Sequence, residues 1–163
     1  MANFNFPKTP KIGAGIFAID IQTGDILLGR RGGNTSTSNL WAPFGGTFEL
    51  KDGSPKETAK REFKEETGCD VNFKISSGPF FVNRDSYLTF YTYIGLFDGK
   101  FPVNISNESL GYMWTDLDHM PNNLLPGFKD LYEQKYNELK KLIEKLVSES
   151  REKREKEEIE EGI

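Results

Sequence analysis

The chain has 163 residues, enough for one domain with a sizeable core, and carries a net charge of −4 with a pI near 5.2. Thirteen phenylalanines within 36% hydrophobic content mark a globular protein in spite of 28% charged residues. No basic stripe interleaved with aromatics argues for general nucleic-acid binding, and no apolar leader or long apolar span points to a membrane, so a soluble cytoplasmic protein is expected.

Residues 12–20, IGAGIFAID, read as a strand that turns through Gln22–Asp25 into a second strand at Ile26–Arg30. Residues 31–39, RGGNTSTSN, form a polar loop; its glycines and hydroxyls could cradle phosphate, and a plain solvent loop is the simpler reading. Ser54, Pro55 and Glu57 make a capping box with proline at the first helical position, and Gly68 suits the left-handed residue past the end of that helix. Beyond it, VNFKI at 71–75, PFFV at 79–82 and YLTFYTYIGLF at 87–97 read as strands. The last alternates poorly, as a strand covered on both faces does. Asp98–Gly99 predicts a hairpin turn into FPVNI, residues 110–115 another short strand, and Pro121 to Pro126 a loop.

From about Phe128 a long helix is expected. Tyr132, Tyr136, Leu139, Ile143 and Leu146 recur by four and three, a seam that either packs on the chain's own sheet or joins a homodimer. After Val147 the apolar positions vanish. Residues 1–147 are therefore the expected domain, and 148–163 a charged tail, helical or disordered. The single cysteine, Cys69, rules out an internal disulfide and reads as a small buried hydrophobe.

The helix opened by Ser54 carries the chemistry. Ala59 and Phe63 lie four apart and can face a core, while Glu62 and Glu66 stack on another face with Glu65 beside them. Stacked carboxylates without an interleaved lysine repel by a few tenths of a kcal/mol per pair. A bound cation reverses that sign, and magnesium takes one or two carboxylates together with phosphate oxygens. Arg61, one turn before Glu65, is placed to hold the carboxylates. RExxEE alone also suits a solvated charged face; the glycine pair before it and EETG after it favour the metal site.

In this stretch the chain resembles the Nudix hydrolases, whose signature is G-x5-E-x7-R-E-U-x-E-E-x-G-U with U apolar. Gly46, Arg61, Glu62, Phe63, Glu65, Glu66, Gly68 and Cys69 fall on it in order, so the box spans residues 46–69. The spacing from Gly46 to Arg61 is one residue too long. The first glutamate is either missing, with Gly53 in its place, or replaced by Asp52 with the extra residue after it; a similar GG…D…RE spacing occurs in the coenzyme A pyrophosphatase branch. ILLGRR at 26–31, LWAPFGG at 40–46 and YMWTDLDHMP at 112–121 extend the resemblance over most of residues 12–125. It implies an α/β (α+β) fold, an α/β/α sandwich with a mixed β-sheet, closed by the long C-terminal helix.

The resemblance also implies a metal-dependent hydrolase that cleaves a diphosphate linkage in a nucleoside diphosphate derivative: a dinucleoside polyphosphate, a nucleotide sugar or a nucleoside triphosphate. The implied cofactor is Mg2+, with Mn2+ as the alternative. Metal would fall to Glu62, Glu65 and Glu66, joined by Asp52 and by the carbonyl of Gly45 or Gly46. The base that polarises water is Glu62 or an acid outside the helix, for which Glu108 is the candidate, and Arg61 orients the carboxylates. Arg30, Trp41, Phe44 and Tyr87 are candidates for substrate binding, beside Arg31 and Trp114; core packing or solvent exposure explains each as well. The signature arrays of the NADH, ADP-ribose and coenzyme A branches are absent. A non-catalytic nucleotide sensor on the same fold is the alternative.

Overall fold

The computed structural model describes residues 10–162. In chain order the elements are β1 (Lys11–Asp20), β2 (Ile26–Arg31), β3 (Trp41–Ala42), β4 (Phe44–Thr47), a one-turn 3-10 helix (Leu50–Asp52), α1 (Pro55–Thr67), β5 (Lys74–Ile75), β6 (Phe81–Arg84), β7 (Leu88–Phe97), β8 (Ser109–Thr115) and α2 (Pro126–Glu161). All the strands join one mixed sheet of order β3-β2-β1-β7-β5, with β4 beside β1, β6 beside β7 and β8 beside β2. β1 and β7 run parallel from Lys11–Leu88 to Asp20–Phe97; the other pairs are antiparallel.

Alternation along β1 divides the interior into two cores. Ala14, Ile16 and Ala18 face α1, while Phe17 and Ile19 face α2, the pattern of a strand covered on both sides. On the first side Phe63 is the hub. Its ring meets Phe44, Phe73, Phe97 and Phe101 at centroid separations of 5.7–6.4 Å, within the range of favourable aromatic pairs. Cys69 is buried in the same cluster, as expected of a small hydrophobe. On the second side α2 delivers Phe128, Leu131, Leu139 and Ile143. The result is the expected α/β/α sandwich.

The strand expected at 71–75 shortens to Lys74–Ile75, and one further expectation changes. The run predicted as a strand after Asp98–Gly99 is extended but unpaired. Phe101, Val103 and Ile105 turn their side chains into the α1 core, and the N–H groups of Asn104 and Ser106 donate to Thr67 O and Glu66 O at the end of α1. Helix carbonyls that lack an intrahelical donor have captured the donors a strand partner would have used. The seam of α2 packs on the chain's own sheet, with Leu139 and Ile143 buried and Tyr132, Tyr136 and Leu146 against them. α2 then continues unbroken past Val147 to Glu161, exposed along that stretch except at Ser150. No helix among the described residues is long and apolar enough to cross a membrane.

Candidate active site

α1 is fixed at both ends by the residues that signalled it. Ser54 Oγ accepts from Glu57 N at 3.3 Å, Pro55 opens the helix, and Gly68 takes φ 66° with its N–H on Lys64 O. Only the serine half of the capping box forms; the Glu57 carboxylate reaches Lys60 instead, at 3.4 Å. Ala59 and Phe63 anchor the inner face, which leaves Arg61, Glu62, Glu65 and Glu66 along the rim of the sheet.

On one side of the helix the charges are compensated. Arg61 Nε donates to Asp52 Oδ1 at 2.7 Å and Nη2 to Asp52 Oδ2 at 3.0 Å, a bidentate fork. Nη1 also reaches Glu62 at 2.9 Å and Glu65 at 3.2 Å, and Nη2 reaches the Thr47 carbonyl at 3.0 Å. Asp52 Oδ2 accepts further from Glu49 N and Thr58 Oγ1. The Arg61 guanidinium, followed by the backbone at Glu49 and the Thr58 hydroxyl, holds the Asp52 carboxyl well below the usual carboxylate range. Its carboxylate pushes Arg61 upward in turn.

On the other side the charges are only partly compensated. Burial raises Glu62, with Arg61 pulling the other way. Burial, then the charges of Glu62 and Glu108, push Glu66 up to about 8, and the backbone at Gly45 and the more distant Arg31 only partly offset them. Glu62 lies against Gly46 so closely that a Cβ there would stand 2.3 Å from its Cδ. The glycine is what admits the carboxylate.

Backbone register singles out Gly45. Phe48 N donates to Ile12 O, so hydrogen-bonded pairs along β1 and β4 alternate through Ala14–Gly46 to Ile16–Phe44. Gly45 sits opposite Gly15 in the intervening, non-bonded position. Its N–H and C=O therefore point away from β1, on the side of β4 that faces no strand among the described residues. Of the two glycine carbonyls considered from sequence, the Gly46 carbonyl is engaged in the ladder and the Gly45 carbonyl accepts no hydrogen bond among the described residues.

Two clefts meet at Gly45 and Arg31. The first, about 550 Å³, has Glu66 and Glu108 on one wall and Arg30, Arg31, Gly32, Gly33 and Thr35 on the other. Gly32 N donates to Glu108 O and ties these walls together. Arg30 Nε is buried without a hydrogen-bond partner among the described residues. The second cleft, about 370 Å³, lies between the sheet and the start of α2, with Gly13, Asn83, Asp85, Leu88, Phe90, Leu125, Gly127 and Phe128 around it.

The structure therefore brings Glu66, Glu108 and Arg30 together at the first cleft, with Glu62 near Glu66 on α1 and packed against Gly46. It does not bring in the others. Asp52 is committed to Arg61, and Glu65 lies exposed on the same guanidinium. Trp41 packs in the α2 core, where its backbone pairs with Asn123 and Leu125. Trp114 meets Phe101 edge-on in the α1 core. Phe44 is buried against Phe63 and only grazes the cleft wall. Tyr87 is 82% exposed at the β6–β7 turn, its N–H held by Asp85. Sequence reading missed Asn83 and Phe90. Neither belongs to a local motif; only the β1–β7 register and the position of α2 bring them to a cleft.

The donors at the first cleft are hard oxygens, carboxylates with one free backbone carbonyl, which suits magnesium or manganese over softer ions. Among the described residues no group of three or more acidic, histidine or cysteine side chains is placed to hold a metal ion by itself. A cation held by Glu66, Glu62 and the Gly45 carbonyl would thus be completed by water or phosphate oxygens. The like charges around Glu66 fit such a cation.

Comparison with known proteins defines the class. The NUDIX domain family matches residues 9–135. The chain belongs to the Nudix family, and its class is that of the Nudix-type pyrophosphohydrolases. Similar solved structures include a MutT protein from Methanosarcina mazei Go1, with 25% identity over 82% of this chain and 98% of that one and a TM-score of 0.63. A Nudix hydrolase from M. smegmatis, RenU, shares 20% identity over 82% and 86% with a TM-score of 0.64. An Ap4A hydrolase from C. elegans shares 17% over 78% and 97% with a TM-score of 0.65. No curated protein matches the chain significantly.

Proposed function

We propose that this chain hydrolyses a diphosphate linkage in a nucleoside diphosphate derivative, a dinucleoside polyphosphate, nucleotide sugar or nucleoside triphosphate, with Mg2+ or Mn2+ as cofactor. The observation that carries this reading is Glu66, buried among the charges of Glu62 and Glu108 at a cleft that also holds Arg30, whose Nε has no partner among the described residues. Bound divalent cation neutralises phosphate oxygens and lowers the pKa of coordinated water. Glu66, with Glu62 and the Gly45 carbonyl, would hold it.

In the reaction a water oxygen bonds to one phosphorus while the bridging P–O bond breaks and its electron pair leaves with the departing phosphate. Glu108 is the better candidate to take the proton of that water. Glu62 is already engaged by Arg61 at 2.9 Å, whereas the Glu108 carboxylate is exposed on the cleft wall. Arg30 and Arg31 offer positive charge to further phosphates across the cleft from Glu66. Arg61 and Asp52 position the helix and Glu62 rather than touching substrate.

The experiment is phosphate release, after a coupling phosphatase, from dinucleoside polyphosphates, nucleotide sugars, ADP-ribose, coenzyme A and nucleoside triphosphates, each with and without Mg2+ or Mn2+. Metal-dependent release from at least one of them is expected. Silence across the panel from folded protein contradicts the hydrolase reading and supports a nucleotide-binding sensor.

A further inference from the structure

Among the described residues β3, β4, β5, β6 and β8 each pair with a single strand, and each leaves one edge of the sheet open. An open edge offers unpaired N–H and C=O groups to any other strand, and proteins blunt it with shortness, charge or proline. β3 and β5 have two residues each and β4 and β6 four; β5 begins on Lys74 and β6 ends on Arg84. β8 has neither protection. It runs seven residues, SLGYMWT, without a charge or a proline. Its one irregularity is the bulge opposite Arg30 and Arg31, which leaves 111–115 as regular strand. The same stretch carries apolar surface. On the α1 face Tyr112, 44% exposed, sits next to half-buried Trp114, with exposed Leu110 at the bulge before them.

Hydrogen bonds fix which groups of β8 face outward. Asp20 N donates to Asp25 O and Arg31 N to Leu40 O, so alternate residues from Asp25 to Arg31 face β1 and β3. Ile26, Leu28 and Arg30 therefore face β8, opposite Thr115, Met113 and Gly111. The N–H and C=O groups of Tyr112 and Trp114 turn the other way and make no hydrogen bond among the described residues. An antiparallel strand can pair with its own copy about a two-fold axis, residue i meeting j as j meets i. Outward groups must meet outward groups. With the axis at Met113, Tyr112 lies opposite Trp114 of the second copy, and Trp114 opposite its Tyr112. That register engages both outward residues of the regular stretch and sets two aromatic pairs side by side on the α1 face. It also brings no charged side chain into the paired stretch, which matters because each copy carries a net charge of −4. Asp116, the first charge beyond the strand, is held by His119 at 2.8 Å.

We propose that β8 is the contact surface of a homodimer, pairing antiparallel with β8 of a second copy so that Tyr112 meets Trp114 across the axis and the two sheets become one. The helical seam of α2, the other surface able to join two copies, packs on the chain's own sheet. A second copy fits the edge better than an unrelated strand because the row is its own complement. The two outward-facing residues are also the two aromatic ones, and they share a face. Tyrosine and tryptophan at the centre of a contact are the side chains that most often dominate its energy. The proposal does not depend on the hydrolase reading.

The test is sedimentation velocity of the full chain across a dilution series. The mass should move from 18.5 kDa toward twice that value as concentration rises. Tyr112→Lys sets a charge on the open edge at an already exposed position, and should weaken dimerisation by about tenfold or more with an unchanged monomer fold in thermal melts. Ile159→Lys, on the exposed extension of α2, should leave dimerisation as it is. Met113→Cys reads the register. Its two copies would face each other in a non-hydrogen-bonded pair, about 4.5 Å apart at Cα, within reach of a disulfide. It should cross-link under air oxidation. Gly111→Cys, with open space around its Cβ, should not, nor should the parent, whose Cys69 is buried. A chain that stays at 18.5 kDa at every concentration overturns the proposal and leaves the edge to an unrelated strand. A dimer that Tyr112→Lys leaves intact overturns it as well, and so does cross-linking at Gly111→Cys in place of Met113→Cys. If Met113→Cys does not fold, the mass comparison of parent and Tyr112→Lys decides alone.

Discussion

The carboxylates around α1 differ in whether Arg61 reaches them: it holds Asp52, Glu62 and Glu65 and makes no hydrogen bond to Glu66. Asp52 and Glu65 share the Arg61 guanidinium, and Asp52 is only 3% exposed, yet it stays ionised because the fork and two further donors satisfy its oxygens. Glu66, five residues along the same helix, faces Glu62 and Glu108 and is pushed up to about 8. The first arrangement is complete within the protein. The second is incomplete without a cation, and that contrast separates charge that holds the fold from charge that awaits a ligand.

Substituting one residue on each side sharpens the contrast. Glu66→Gln keeps the shape and removes the charge, and should lower turnover by on the order of 10³-fold, the scale of losing one electrostatic contact to the transition state. Thermal melts should show it folded. Arg61→Ala should do the opposite, lowering the melting temperature by several degrees because it strands Asp52 without its bidentate partner. Arg61→Lys, which keeps the charge but not the fork, should recover little of that loss. Equal melting temperatures for parent and Arg61→Ala would break the distinction.

The pH dependence of stability should also differ between the two sides. The folded state binds the Glu66 proton more tightly than the unfolded chain does, so this group's contribution to stability falls as pH rises from about 4.5 to about 8. Without metal, the melting temperature of Glu66→Gln should match the parent's below that window and exceed it increasingly through it. Asp52 has the reverse sign: its contribution is present above the ordinary carboxylate range and is lost only in strong acid. The smallest effect is expected at Thr58. Thr58→Val removes the hydroxyl that donates to Asp52 at 2.8 Å, and should cost about 1 kcal/mol in denaturant melts with turnover unchanged.

Local chemistry made α1 legible from sequence, since Ser54, Pro55 and Gly68 act within a turn of where they stand. β1, β2, β7 and β8 were legible for the same reason, as apolar runs bounded by turns. FPVNI was misread because its apolar residues look alike whether they pair as a strand or plug the core beneath α1. At the site, Glu62 and Glu66 followed from helical spacing, and Glu108 from the resemblance. Asp52 could not be placed from spacing alone, because one extra residue before Arg61 leaves open whether its oxygens meet a cation or a guanidinium. The second cleft was invisible because its lining comes from strands distant in sequence, Gly13 of β1 and Gly45 of β4 among them, which meet only across the register.

The most direct measurement is the number of protons released when Mn2+ binds at pH 7, from calorimetric titrations in buffers of different ionisation enthalpy. A carboxyl with a pKa of about 8 is mostly protonated there, so a cation at Glu66 must displace close to one proton. The account predicts that release in the parent, and weak binding without it in Glu66→Gln. Binding of equal strength in both proteins, with no proton released, would contradict the assignment of the cleft as the cation site.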